Sequence, residues 1–154
     1  MIIVVGHCAD TVRETLEQAF PQQVNRLSFV ENRAFATGLA SSLRMAIDAV
    51  DPASIGCLIH HADRPFVEPD TVARVLGLAW EGARAVVPRF RQRPGFPVYL
   101  SAGMLAAIRP SLRGDEGARR YLRAHEEDVT YLDVEDHGVV EDVDTRADLE
   151  RSSM

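Results

Sequence analysis

Ile55-Gly-Cys-Leu-Ile-His-His-Ala-Asp-Arg-Pro-Phe-Val67 opens on apolar residues too few for a helix and stops at a loop carrying Asp63 and Pro65. A short apolar run bounded by turn chemistry reads as a buried strand. Open α/β sheets gather their ligands at the carboxyl ends of strands, which is where this reading puts Asp63. A carboxylate there, on a loop that Pro65 stiffens, is well placed to grip a metal ion on a phosphate.

Working back from that strand, residues 2–5 form a β-branched run closed by Gly6 and read as a second buried strand. Asp10 is expected to cap a helix whose apolar positions Val12, Leu16, Ala19 and Phe20 share one face, with Pro21 after its end. Residues 27–30 read as another strand. Asn32 then begins a loop to Gly38, after which Leu39, Leu43, Ala46, Ile47 and Val50 keep helical spacing. Ser41 and Ser42 fall in the first turns of that helix. Its free N–H groups and the two hydroxyls suit a phosphate or a nucleobase edge, while the plainer reading is support for the helix start.

Beyond the Asp63 loop, Glu68-Pro69-Asp70-Thr71 starts a helix with Val72, Val75, Leu76 and Ala79 as its buried stripe, and Pro69 suits the first turn. Residues 85–87 read as a strand stopped by Pro88. Arg89, Arg91 and Arg93 follow in a concentrated positive patch, either a solvated loop or a surface that neutralises a phosphorylated substrate. If the latter, they should face the same cleft as Asp63. Residues 97–100 read as a strand, and Ser101 caps a short helix. Asp115 is a plausible cap for a helix over 118–123. Residues 129–134 and 139–143 read as strands, and a final helical turn follows Asp144, which is either its cap or a second metal carboxylate. Strands alternating with helices of this length mean an α/β layer fold with a mostly parallel sheet.

At 154 residues the chain is expected to be one domain, 1–154, with a sizeable core. A net charge of −6 argues against a nucleic-acid partner. All 17 basic residues are arginine. Cys8 and Cys57 have no metal-type spacing, and the N-terminal apolar run is too short for a signal or a membrane span, so a cytoplasmic protein is expected.

Five segments together resemble one family. Asn32 with Gly38-Leu-Ala-Ser-Ser-Leu43 is similar to the second substrate loop of the molybdenum cofactor cytidylyltransferases and guanylyltransferases, and Ala62-Asp-Arg-Pro-Phe-Val67 resembles their Gly-Asp-Gln-Pro-Phe-Val segment. Arg93-Pro-Gly-Phe-Pro-Val98 and Gly114-Asp-Glu-Gly-Ala-Arg119 match later segments. Asp142-Val-Asp-Thr-Arg-Ala-Asp-Leu149 resembles the closing Asp-Ile-Asp-Thr-Pro-Glu-Asp-Leu. The resemblance implies a Rossmann-like, nucleotide-diphospho-sugar transferase-like fold. It also implies transfer of a nucleoside monophosphate from CTP or GTP to a phosphorylated pterin-type acceptor, with release of pyrophosphate. By the matching positions Asp63 and Asp144 would be the catalytic pair holding Mg²⁺. Asn32, Gly38 and Ser42, with Ser41 beside them, would border the nucleotide.

Arg64 stands where the family commonly has Gln, and Phe96 where it commonly has His or Asn. The family's opening strand and Gly-rich loop, which ends in Arg-Met-Gly and a Lys, have no counterpart, and the chain contains no lysine. The chain alone is therefore expected to bind nucleoside triphosphates weakly and to have little or no transferase activity. The strands at 2–5 and 55–59 are expected to close on each other, or a second copy or another chain to complete the sheet. The alternative is an impaired relative that binds a nucleotide, a cofactor or a protein partner without transfer. A hydrolase metal site at His60, His61 and Asp63 is disfavoured, because neighbours on a strand point to opposite faces.

Overall fold

The computed structural model describes residues 1–151. The chain groups into two compact units, each built from two stretches: Met1–Ser54 with Leu105–Ala124, and Ile55–Met104 with the described residues from His125 on.

In the first unit β1 (Ile2–Val5) pairs in parallel with β2 (Ser28–Glu31), joined through α1 (Ala9–Ala19). Helix α2 (Leu39–Asp48) packs on β1 and buries Ala40 and Leu43. Asp10 does not cap α1. The capping position is Cys8, in the left-handed region at φ 53°, with no side-chain cap, and Asp10 lies in the first turn. There its charge complements the helix dipole instead. No residue of α1 is fully buried, so its apolar stripe is covered only in part.

In the second unit β3 (Gly56–Ile59) leads to α3 (Pro69–Trp80), then to β4 (Ala85–Phe90), β5 (Arg93–Pro94) and β6 (Val98–Ser101), and finally to β7 (Val129–Asp133). Strand β6 lies between β3 and β4, antiparallel to both, while β7 runs parallel to β4. Thus β3, β4 and β7 share one direction. The mostly parallel expectation holds for those directions but not for neighbours, since β6 reverses the ladder. Ser101 does start α4 (Ala102–Ile108), its Oγ accepting from Met104 N at 3.3 Å. Val75, Ala79, Val86 and Tyr99 form the core between α3 and the sheet.

Other expectations need correction. Thr71 rather than Leu76 is buried on α3. Pro88 does not stop β4, because it stands where the strand changes partner from β6 at Ala85 and Val86 to β5 at Arg89 and Phe90. Its missing N–H is not needed at that step. The segment 89–95 is a tight hairpin, with Arg91 and Gln92 at φ 48° and 65°. Residues 139–143 form no strand. Val139 and Val140 are buried with Val134 in a side-chain cluster, and Val139 O accepts from Phe96 N at 2.9 Å. Among the described residues β1 pairs only with β2 and β3 only with β6.

Candidate functional site

The loop after β3 is held from its own backbone outward. Arg64 N donates to His61 O at 3.2 Å, and the His60 ring nitrogen Nε2 lies 2.9 Å from Arg64 O. The His61 ring packs on Phe96, with centroids 4.1 Å apart. Each histidine is thus engaged separately. Among the described residues no cluster of three or more His, Cys, Asp or Glu could by itself hold a metal ion.

A second segment lies against this loop: Val143 N donates to Asp63 O at 2.8 Å. The residues flanking Val143 are Asp142 and Asp144. Asp144 is not a helix cap. The last helix, α6 (Arg146–Arg151), is capped by Thr145, whose N–H donates to Asp148 Oδ2 at 2.7 Å while Asp148 N donates back to Thr145 Oγ1 at 3.2 Å. This reciprocal box leaves Asp144 without a structural duty. Among the described residues neither the Asp63 nor the Asp144 carboxylate has a hydrogen bond or ion pair, and both residues are exposed. Two such carboxylates are hard oxygen donors suited to Mg²⁺ or Mn²⁺, ions that draw remaining ligands from water and substrate phosphates.

What keeps these loops together is a residue that the sequence reading passed over. Asp136 is 4% exposed, and its carboxylate accepts from Glu68 N at 2.9 Å and Gly138 N at 2.8 Å. It ties the turn at His137–Val139 to the start of α3. A Cβ on Gly138 would meet the backbone of Phe66 and Val67, and one on Gly95 would meet Val139, so close approach demands both glycines. The Asp-x-Gly pattern was the available signal, since Asp commonly bonds to the backbone two residues on.

In the first unit Asn32 is 2% exposed and Nδ2 donates to Ser41 Oγ at 2.8 Å and Ser42 Oγ at 2.9 Å. Its Oδ1 accepts from Ala34 N at 3.0 Å. Asn32 therefore fastens the loop to α2. The N–H groups at the start of α2 are not free, which corrects the phosphate-receiving reading of that helix end. Leu39 N donates to Asp115 Oδ1 at 3.2 Å and Ala40 N to Gly114 O at 2.9 Å. Asp115, expected to cap its own helix, α5 (Arg119–Ala124), caps α2 instead. Replacing Asn32 with alanine should destabilise the fold by about 1–3 kcal/mol, the cost of a buried donor or acceptor left unpaired. Urea unfolding measures this, and a loss below about 0.5 kcal/mol would show that water satisfies the site.

Of the three arginines in the positive patch, Arg89 makes a two-pronged contact to Asp133 at 3.1 and 3.0 Å and lies over the Tyr131 ring. Arg91 and Arg93 are exposed on the hairpin and have no ion pair among the described residues. Arg109 is likewise committed, bonding both oxygens of Asp48 at 2.5 and 2.7 Å. That bond holds the Asp48 carboxyl below its ordinary range. Neither cysteine is in a disulfide, and burial pushes the Cys57 thiol up.

A model of the MobA-like NTP transferase domain matches residues 1–129. The chain belongs to this family. Its relatives include the nicotine blue oxidoreductase of Paenarthrobacter nicotinovorans, 32% identical, with 94% of this chain and 71% of that protein covered. The crystal structure of Rv0371c from Mycobacterium tuberculosis H37Rv superposes with a TM-score of 0.75 at 28% identity, over 98% of this chain and 74% of that one. A complex of Rv0371c with manganese gives a TM-score of 0.74 at 27% identity, over 97% and 75%. The 4-diphosphocytidyl-2C-methyl-D-erythritol synthase of Anaerococcus prevotii, only 14% identical, shares the fold with a TM-score of 0.76 over 98% of this chain and 75% of that one. The MobA-like chain thus has the nucleotidyltransferase fold expected from its motifs. Among its described residues no helix is long and apolar enough to cross a membrane.

Proposed function

We propose that this MobA-like chain is a cytoplasmic nucleotidyltransferase of the molybdenum cofactor type, taking CTP or GTP and a phosphorylated pterin-like acceptor. The observation that supports this most is the Val143–Asp63 hydrogen bond, which brings the segment bearing Asp144 alongside the Asp63 loop while both carboxylates stay free of structural partners. In the reaction an acceptor phosphate oxygen bonds to the α-phosphorus, the bond to the bridging oxygen breaks, and pyrophosphate leaves.

Asp63 and Asp144 are the residues that would hold Mg²⁺ or Mn²⁺, and the manganese complex of Rv0371c lends weight to a divalent ion. When bound, such an ion supplies charge stabilisation for phosphate oxygens. Asn32 holds Ser41 and Ser42 in place, and Gly38 opens α2 at φ 111°, a conformation that favours glycine. These four residues would border the nucleotide, with the Ser42 hydroxyl as a donor toward it. Arg93, and Arg91 over the Phe90 ring, have no ion pair among the described residues and are the cations of the patch for an acceptor phosphate, whereas Arg89 would serve by fixing the hairpin through Asp133. The unpaired edges of β1 and β3 each suit a further strand, from a second copy or another chain.

The test is calorimetric binding of CTP and GTP with and without Mn²⁺, followed by pyrophosphate release with a phosphorylated pterin. Metal-dependent binding and little or no acceptor-dependent release are expected of this chain, which contains no lysine. Binding with no release at all favours the impaired, binding-only relative. Absence of metal-dependent binding overturns the reading. The 32% identity to nicotine blue oxidoreductase favours a second reading, an oxidoreductase acting on nicotine blue or a like compound. A change in the visible absorbance of nicotine blue, in the presence of a reductant and without nucleotide turnover, would establish it.

A further inference from the structure

Arg64 differs from Arg89 and Arg109 in how little of its hydrogen-bonding capacity is used. Arg89 and Arg109 each grip a carboxylate with two nitrogens at 3.1 Å or less. Arg64 Nη1 reaches Val139 O only at 3.4 Å, and Nη2 reaches Asp142 Oδ2 only at 3.3 Å. Charge-assisted N–H···O bonds normally lie at about 2.7–2.9 Å. Its Nε is shielded from solvent and has no partner. The side chain is only 17% exposed, so the guanidinium is held rather than waving in water, while that of Asp142 is 52% exposed and open to competition from solvent. Phe96 supports it from one side, its ring centroid 5.5 Å from the guanidinium carbon.

Arg64 is thus a sheltered cation with spare donors one residue from Asp63. We propose that Arg64 is a phosphate-receiving residue of the Asp63 loop, exchanging its long contact to Asp142 for a two-pronged contact to a substrate phosphate. The guanidinium fork fits two phosphate oxygens, and a neutral glutamine at this position would not supply the charge. The proposal rests on the transferase reading for its substrate class. The phosphate belongs either to the nucleoside triphosphate or to the acceptor.

Calorimetric titration of the full chain with Mn²⁺ alone, inorganic phosphate alone, and CTP plus Mn²⁺ tests this in wild type, Arg64→Gln and Arg64→Lys. Phosphate affinity should fall about tenfold or more in Arg64→Gln, as expected for loss of a hydrogen bond to a charged group, and fall less in Arg64→Lys. Mn²⁺ affinity should stay within about twofold, because Arg64 is not a ligand. A parallel loss for CTP assigns the phosphate to the nucleotide; unchanged CTP binding assigns it to the acceptor. Phosphate binding that is absent in wild type or unaltered in Arg64→Gln overturns the proposal. So does a loss of Mn²⁺ affinity matching that of phosphate, which would mean that Arg64 merely places the Asp142–Asp144 segment. Phosphate binding through Arg64 in a chain that binds no Mn²⁺ would keep this inference and sink the transferase reading.

Discussion

Asp136→Ala is expected to lower stability by about 3–5 kcal/mol, one of the largest losses available from a single polar side chain here. The carboxylate is buried and accepts two backbone N–H bonds, from Glu68 and Gly138, and both donors would be left unpaired. Each bond to a charged acceptor contributes about 1.5–3 kcal/mol, and alanine offers nothing in return. In a chain of this size the melting midpoint should fall by roughly 10–15 °C. Asp133→Ala is the control. It removes an equally charged residue whose side chain is 62% exposed beside Arg89, and surface pairs of that kind contribute about 1 kcal/mol or less. If Asp136→Ala costs no more than Asp133→Ala by urea unfolding, the carboxylate does not hold the turn.

Asp63→Asn is expected to do the reverse, sparing the fold and removing the chemistry. Its carboxylate is exposed and has no partner among the described residues, so the midpoint should move by less than about 2 °C. The loss should appear in Mn²⁺-dependent nucleotide binding. Removing even an outer partner of a metal ligand typically costs roughly 10–100-fold in affinity, and replacing a carboxylate ligand by an amide should cost at least that. Equilibrium titration followed by Mn²⁺ paramagnetic resonance measures it. A large fall in the midpoint with binding retained would make Asp63 a structural acid.

The two residues carry opposite expectations although both are aspartates in loops of the same unit. Nothing in their local sequence separates them as clearly as burial does. Asp63 was legible because the apolar run before it and Pro65 after it place it beyond a strand. Asp136 lies in a segment of mixed polarity, and its decisive partner, Glu68 N, is 68 residues away along the chain.

Local rules served where the cause is local. The strands at β1, β3 and β7, the start of α3 at Pro69 and the Ser101 cap of α4 follow from periodicity and turn residues within a few positions. They failed where a group chose a distant partner. Asp115 sits three residues before the start of its expected helix, yet its carboxylate caps α2 at Leu39, 76 positions back. Residues 139–143 have strand composition, but Val139 and Val140 spend it on side-chain burial. Pro88 reads as a strand breaker until the sheet shows that β4 changes partner there. By itself the sequence determined the α/β class, the family and the loop that carries Asp63. Only the tertiary structure decided that β6 enters the sheet reversed, that Thr145 relieves Asp144 of capping, and that Arg64 is left with donors to spare. Propensity and pattern sum over neighbouring residues, whereas the partner of a carboxylate, a guanidinium or a strand edge is set by which groups the fold brings within about 3 Å.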